Sequence, residues 1–597
     1  MFRISIAPNE VRNSAAVRRE LRKLGLGSEW TKAAVDKRRK WVTLPGTYVA
    51  SDIASLIALA GTHPDAMMNR QYTTAPGIRR IIGSLDPQGR PLGGIELALD
   101  SVLRGDSAVS AIARDVKGRR LDSPESWAMI PRSGNNVTLT MNRDLQEICE
   151  RALARAVDSL DASGGDIVVL NPNNGEVLAM ASRRRGQKSV SITAITEPFE
   201  PGSTLKPFIA AALLEKGRAR TDEVVNTHNG QLILNKRTIT DLHKAPQMTL
   251  ADVIRFSSNI GIVEFGSRLT PREKFETLRD IGLGMATGVS LPGESDGSLR
   301  KPVEWSAQSA ASVLMGYELA VTPLQLASAY AALANGGELL EPHVIKEIRT
   351  ADGEVVYQTR RRVLRRVFSQ KVADQVRGLL RSVVDSGTAV KADLAAYEVA
   401  GKSGTARRIV KGKGYVAGNY TASFVGLFPA ERPQYVVLVK LDSPKRAYYG
   451  GEVAAPVTSV VLRTALAARD AALDRGELAS VEREVPLLKS ESTDARVVDT
   501  AAAIPVAEIL PPAREPVAAA PQVFQLPYKK KAATLDVSRR PVPDVHGLPV
   551  RSAVRALHRA GFRVALGKAR TSGAVQTVPV AGTLLSPGSI VKLQHTP

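Results

Sequence analysis

The 597-residue chain holds a single cysteine, Cys149. One thiol excludes an intrachain disulfide and any multi-cysteine zinc site, and it says little about redox compartment. Within 145–153 it falls on a helical pattern, where a packed core position is expected. The seven histidines, at 63, 228, 243, 343, 546, 558 and 595, are scattered without metal-ligand spacing, so no metal and no cofactor is expected. No stretch reaches the roughly 18 apolar residues of a spanning helix. The opening octet, 1–8, is too short and too polar for a signal peptide. Acidic residues are outnumbered, 59 against 81 basic ones, for a net charge of +22. That balance suits an anionic partner such as nucleic acid, membrane headgroups or an acidic polymer. Nucleic acid lacks support, because there is no Cys/His cluster, aromatic–basic RNA motif or helix-turn-helix signature.

What the chain does have is length for several domains and an ordinary hydrophobic share of 44%. Residues 1–135 are basic, with clusters at 18–23 and 37–40, and carry no catalytic constellation. A second domain is expected over 136–475. It opens with a strand-like alternation at 136–140, and Asn142 is placed to cap the helix that carries Cys149. The apolar runs 166–170 and 176–180 flank Asn173-Asn174-Gly175, a hairpin signature. Residues 476–540 are rich in Ala and Pro and read as a disordered or extended linker. Residues 541–597 read as a small α+β module, a helix over 553–560 followed by short strands.

The second domain contains three polar motifs. The first is Glu200-Pro201-Gly202-Ser203-Thr204-Leu205-Lys206-Pro207, followed by the Ala-rich helical run 208–214. Pro-Gly breaks the chain, so Ser203 falls near a helix N-terminus with Lys206 three residues on, on the same face. A serine hydroxyl needs an adjacent base to become a nucleophile, and a lysine amine serves if burial lowers its pKa. The second motif, Ser257-Ser258-Asn259, interrupts two apolar segments and reads as a helix junction. The third, Lys402-Ser403-Gly404-Thr405, sits before two strand-like runs, 422–428 and 434–439. Glycine in a strand allows a ligand or another backbone to approach closely. Each motif alone has an ordinary structural reading; together and in this order they point to serine acyl transfer.

The set resembles the serine acyltransferases that include penicillin-binding proteins and class A β-lactamases. Motif order, the Glu-Pro-Gly-Ser-Thr-Leu-Lys-Pro context, Ser257-Ser-Asn-Ile-Gly, Val321-Thr-Pro-Leu-Gln and the Asn-Gly hairpin look like class B penicillin-binding proteins. Gly94-Ile95-Glu96 and Arg70-Gln-Tyr72 look like that family's N-terminal pedestal motifs, and 541–597, with Val-Pro-Asp-Val-x-Gly-Leu, is similar to a PASTA domain. The resemblance implies a multidomain α+β chain: a pedestal over 1–135, a transpeptidase domain over 136–475 with a central antiparallel sheet between helical layers, the linker, and the PASTA module. It implies D,D-transpeptidation of peptidoglycan stem peptides, on strands derived from lipid II. Ser203 attacks the D-Ala-D-Ala carbonyl, Lys206 takes its proton, Ser257 relays it and Asn259 positions Lys206 and the substrate amide. Lys402 supplies charge near the terminal carboxylate, Ser403 or Thr405 binds its oxygens, and the Ser203 and Thr405 N–H groups form an oxyanion hole beside Gly404. β-Lactams are the implied inhibitors; a SEDS-type glycosyltransferase and divisome proteins are the implied partners. Septal synthesis is the expected role, with elongation, or a β-lactam sensor or wall-binding scaffold, as alternatives. Hydrolases of the class A type add Glu-x-x-Leu-Asn between the second and third motifs, and this chain has none. The family works on the extracytoplasmic face of the cell membrane, so an anchor helix upstream of Met1 is expected. In the PASTA-like module Thr577 stands where the family usually has Gln, a departure that bears on muropeptide binding.

Overall fold

A computed structural model describes residues 2–66, 70–86, 89–104, 134–186, 191–410, 414–483 and most of 539–595. The described residues fall into two units, one before and one after 484–538. The Ala/Pro-rich stretch read as a linker therefore lies almost wholly outside the described residues.

The first unit begins with a small sheet in which β1 (Phe2–Ile6) lies between β2 (Val42–Thr43) and β3 (Thr62–Ala66). Helix α1 (Ser14–Lys23), capped by the Asn13 side chain, buries Val17 and Leu21 against Ile4 and Ile6. This cluster forms its own core, whereas Ile81 and Ile95 join the main core of the following residues. Around them the pedestal-like motifs interlock: Arg70 pairs with buried Glu96 at 3.2 Å, and the Tyr72 hydroxyl donates to the same carboxylate.

The main core surrounds a five-stranded antiparallel sheet. After β4 (Asn136–Leu139) and α2 (Arg143–Ser159) come β5 (Gly164–Leu170) and β6 (Val177–Arg184), the two arms of the Asn-Gly hairpin. Helix α2 starts where Asn142 accepts from the Leu145 N–H, as its capping chemistry predicts. The chain then builds α3 (Lys206–Glu215), α4 (Leu250–Arg255), α5 (Asn259–Gly266) and α6 (Pro323–Ala334). Strands β7 (Ile345–Arg349) and β8 (Val355–Gln358) follow, then α7 (Gln370–Asp385). Finally β9 (Ala400–Val410), β10 (Gly414–Phe428) and β11 (Tyr435–Asp442) complete the sheet in the order β9-β10-β11-β5-β6. Strands β5 and β11 are buried along their whole length, because helices cover both faces. Helices α2 and α8 (Ala455–Ala467) pack on one face and α6 on the other, so the expected sheet between helical layers is present. The third motif opens a hairpin, β9–β10, longer than the runs visible in the sequence, since Gly, Ser and Thr hide its period-2 pattern.

In the second unit, helix α9 (Val550–Arg559) packs Ala553 and Leu557 on Val591 and Leu593 of a three-stranded sheet. Its strands are β12 (Arg563–Leu566), β13 (Val575–Val578) and β14 (Ile590–His595), in the order β12-β14-β13. Among the described residues no helix is long and apolar enough to cross a membrane.

Candidate active site

The chain from Pro201 enters a 3-10 turn, Gly202–Leu205, that runs directly into α3. Gly202 has φ +56°, a left-handed conformation suited to glycine, and its N–H donates to Gly316 O at 3.0 Å. The turn is clamped from below by the Tyr330 hydroxyl, which donates to Thr204 O at 2.6 Å from inside α6. Ser203 is half-buried on this turn.

One helical turn on, the Lys206 side chain is fully buried. Its amine donates to Asn259 Oδ1 at 2.8 Å, to the Ser257 carbonyl at 2.6 Å and to Ser257 Oγ at 3.4 Å. Burial lowers its pKa from the usual 10.5 to about 7, against an opposing pull from Asp241. An amine with that pKa exchanges protons freely near neutrality.

Ser257 lies between α4 and α5, at the junction expected from the sequence, with φ +61°. That conformation costs a non-glycine residue on the order of 1–3 kcal/mol and persists only where the surroundings enforce it. Here Asp241 enforces it. Its buried carboxylate accepts from Ser258 Oγ at 2.5 Å, from the Asn259 N–H at 2.5 Å and from the Ile260 N–H at 3.1 Å, at the N-terminus of α5. Ser258 in turn caps the helix by accepting from Gly261 N–H. The Asn259 amide donates to Thr240 O at 3.0 Å, which orients its oxygen toward Lys206.

The third motif lies on the edge strand β9 and faces the nucleophile turn. A Cβ on Gly404 would come within 2.8 Å of Thr204 Cγ2 and 2.9 Å of Pro201 O, so only glycine lets strand and turn close. Lys402 is fully buried and donates to Ser403 O at 3.0 Å; burial and then the nearby Lys206 charge hold its pKa well below the usual value. Ser403 Oγ is 2.7 Å from Thr388 Oγ1, and Thr405 Oγ1 accepts from Gly450 N–H at 3.0 Å.

Beside the turn, a cavity of about 240 Å³ is lined by Phe199, Glu200, Ala406, Arg407, Lys440 and Asp442. Glu200 accepts from the Glu318 N–H at 2.9 Å and the Tyr415 hydroxyl at 2.8 Å, and burial pushes its carboxyl pKa up. Deeper in the sheet, Lys440 bridges Asp166 and Asp442 at 3.0 and 2.8 Å.

The structure thus gathers Lys206, Ser257 and Asn259 by direct hydrogen bonds, with Ser203 on the same turn and Lys402 and Gly404 across from it. Ser203 is not among the hydrogen-bond partners of Lys206. Ser403 and Thr405 are bonded to Thr388 and Gly450. Sequence reasoning missed Asp241, Thr388, Tyr330 and the role of Glu200. Asp241 and Thr388 lie 16 and 14 residues from the motifs they support, outside any spacing rule. Tyr330 sits inside an all-buried, Ala-rich helix and looks like core.

Comparison with known proteins matches residues 165–463 to the penicillin binding protein transpeptidase domain and 541–594 to the PASTA domain. The chain is 32% identical over 430 residues to the probable peptidoglycan D,D-transpeptidase PbpC of Pseudomonas aeruginosa, covering 70% of this chain and 74% of that one. It is 33% identical over 436 residues to the penicillin-binding protein PbpB of Mycobacterium tuberculosis, covering 68% and 64%. Its fold is similar to the crystal structure of penicillin binding protein 3 from Mycobacterium tuberculosis complexed with aztreonam. That match has a TM-score of 0.59 at 31% identity and covers 69% of this chain and 91% of the other.

Proposed function

The chain belongs to the class B penicillin-binding proteins, serine-type peptidoglycan D,D-transpeptidases, and on that premise we propose how its own residues perform the reaction and where it acts. Ser203 Oγ attacks the carbonyl between the two terminal D-alanines of a stem peptide while the neutral Lys206 amine takes its proton. The new C–O bond forms as the C–N bond breaks. The departing D-Ala nitrogen receives the proton through the Ser257 hydroxyl, 3.4 Å from Lys206 Nζ. An amine of a neighbouring strand then attacks the acyl ester, forms the cross-link and restores the Ser203 hydroxyl. Asn259 holds the Lys206 amine in place. The substrate's terminal carboxylate offsets the unfavourable burial of the Lys402 ammonium, and Ser403 and Thr405 bind its oxygens from β9. Backbone N–H groups of Ser203 and Thr405 stabilise the oxyanion, a contribution of roughly 10²–10³ in rate per donor. The cavity beside Glu200 and Arg407 leaves room for the side of the stem peptide away from the leaving group.

The observation that carries this reading is the buried Lys206 amine, bonded to Ser257 and Asn259 one helical turn from Ser203. β-Lactams, which mimic the D-Ala-D-Ala terminus, acylate Ser203. Labelling with a fluorescent penicillin, followed by mass spectrometry of the modified peptide, tests the assignment. Undiminished labelling of Ser203→Ala would overturn it.

The domain acts outside the cytoplasmic membrane, where its substrate lies. Septal rather than elongation synthesis is favoured by the PASTA domain that follows the transpeptidase domain. A SEDS-type glycosyltransferase and divisome proteins are then the partners, with the residues before 135 as the contact surface. Depletion should give filaments with blocked septa; rounded cells that still divide would assign it to elongation.

A further inference from the structure

Six ionisable side chains line the cavity beside the nucleophile turn, and four of them are committed to partners. Lys440 bridges Asp166 and Asp442 at 3.0 and 2.8 Å, Arg408 pairs with Asp442, and Glu197 pairs with Arg184 at 2.9 Å. Glu200 and Arg407 remain. Glu200 uses one oxygen only: Oε1 accepts from the Glu318 N–H at 2.9 Å and the Tyr415 hydroxyl at 2.8 Å, while Oε2 is buried without a hydrogen-bond partner among the described residues. The exposed Arg407 guanidinium has no hydrogen-bond or ion-pair partner among the described residues. An unmatched anion and an unmatched cation thus border one space without pairing to each other.

The Glu200 carboxylate is held in position. Glu318 reaches it from φ +63°, a left-handed conformation that a non-glycine residue keeps only where its surroundings enforce it. The Glu318 carboxylate is itself fixed by Ser309 Oγ at 2.6 Å and by Arg300. Tyr415 packs edge-on against Tyr317, with ring centroids 5.9 Å apart. A preorganised acceptor loses little freedom when a ligand arrives. Burial disfavours the charged form of Glu200, a penalty that an incoming ammonium would offset.

The order of residues along β9 indicates which part of the substrate arrives here. Strand β9 is the edge of its sheet. The nucleophile turn lies against it in a fixed sense: Gly404 is beside Thr204, and Gly202 is beside Thr405 and Ala406. Glu200, two residues before Gly202, continues that sense toward Arg407. Lys402, which takes the terminal carboxylate in the proposed reaction, lies at the opposite end. A peptide extended along this edge advances about 3.3 Å per residue. With the scissile bond at Ser203, the leaving D-Ala points to Lys402. The residue that precedes the two D-alanines then falls level with Ala406 and Arg407.

We propose that Glu200 and Arg407 form the subsite for that residue and select a diamino diacid there, its side-chain ammonium on Glu200 Oε2 and the carboxylate of the same carbon on Arg407. The inference rests on the transpeptidase reading above and names the stem peptide it takes, one of the diaminopimelate type. Two opposite charges on one carbon match both unmatched groups. A lysine in its place would satisfy Glu200 and leave Arg407 alone, and so would a diacid whose side-chain carboxylate is amidated.

Release of D-lactate by the whole chain, from synthetic stem peptides ending in D-Ala-D-lactate, tests this. Four peptides differ only in the preceding residue: meso-diaminopimelate, its side-chain amide, its side-chain N-acetyl derivative, and lysine. The first should have the highest kcat/KM, with each of the others lower by about tenfold or more, as expected for loss of a charge-assisted hydrogen bond. Glu200→Gln should erase the difference between the free and N-acetylated peptides and keep that between the free acid and its amide. Arg407→Ala should do the reverse. Each comparison is a ratio within one protein, so a general loss of activity does not imitate it. Wild-type values within a few-fold across all four peptides, or discrimination that survives both substitutions, would overturn the proposal and leave the transpeptidase reading standing. No D-lactate from any peptide and no acyl group on Ser203 would overturn that reading, and this proposal with it.

Discussion

The proton-accepting role of Lys206 makes a quantitative claim about pH. Its amine titrates at about 7 in the folded chain because burial disfavours the ammonium form more than Asp241 favours it. At pH 7 about half of the molecules hold the neutral amine; at pH 6 about a tenth do, and at pH 5 about one in a hundred. If neutral Lys206 is the base, the second-order rate of acylation by a β-lactam should fall about 50-fold between pH 7 and pH 5 and level off above pH 8. Stopped-flow fluorescence with a labelled penicillin measures it directly. Lys206→Ala should be slower by roughly 10²–10⁴ and lose the pH dependence. The same burial has a stability consequence. The fall from 10.5 to about 7 corresponds to about 5 kcal/mol of disfavour for the charged form, as an order of magnitude. Between those values the unfolded chain binds a proton that the folded chain does not. The fold therefore gains stability as pH rises from 7 toward 10.5, and below 7 it carries the whole penalty. A wild-type acylation rate that is flat from pH 5 to 7, or Lys206→Ala within a few-fold of wild type, would refute the base assignment.

Asp241→Asn should shift the same rate profile toward acid, since the group that favours the Lys206 ammonium is neutralised. It should also lower thermal stability by about 1–2 kcal/mol through the weakened cap on α5, so a profile that does not move would detach Asp241 from the base. Gly404→Ala should cut acylation by about 10² or more, because a Cβ there meets Ser423 Oγ at 2.6 Å, Thr204 and Pro201 O and pushes β9 off the nucleophile turn; near-normal acylation would show the closure is not needed. Tyr330→Phe removes the donor to Thr204 O and should cost about 1–3 kcal/mol in denaturant unfolding, and an unchanged midpoint would mean that Thr204 O finds another partner.

Much of this site is legible before any coordinates. Pro201-Gly202 breaks the chain, the run after it is helical, and a three-residue spacing puts Ser203 and Lys206 on one face; these are local rules, and the structure follows them. The Asn-Gly hairpin and the Asn142 cap are local in the same sense and form as expected. What the linear order cannot carry is the pKa of Lys206, because burial is contributed by helices and strands far along the chain. Nor can it carry Asp241, whose carboxylate reaches Ser258 and the α5 N-terminus across a short strand and a helix. Local chemistry alone determined which residues could act. Tertiary packing decided that Lys206 is dry, that Ser257 is held at φ +61° with its carbonyl on that amine, and that β9 closes on the nucleophile turn through Gly404. Dehydration and close approach are properties of a packed volume, and no spacing rule along a chain encodes them.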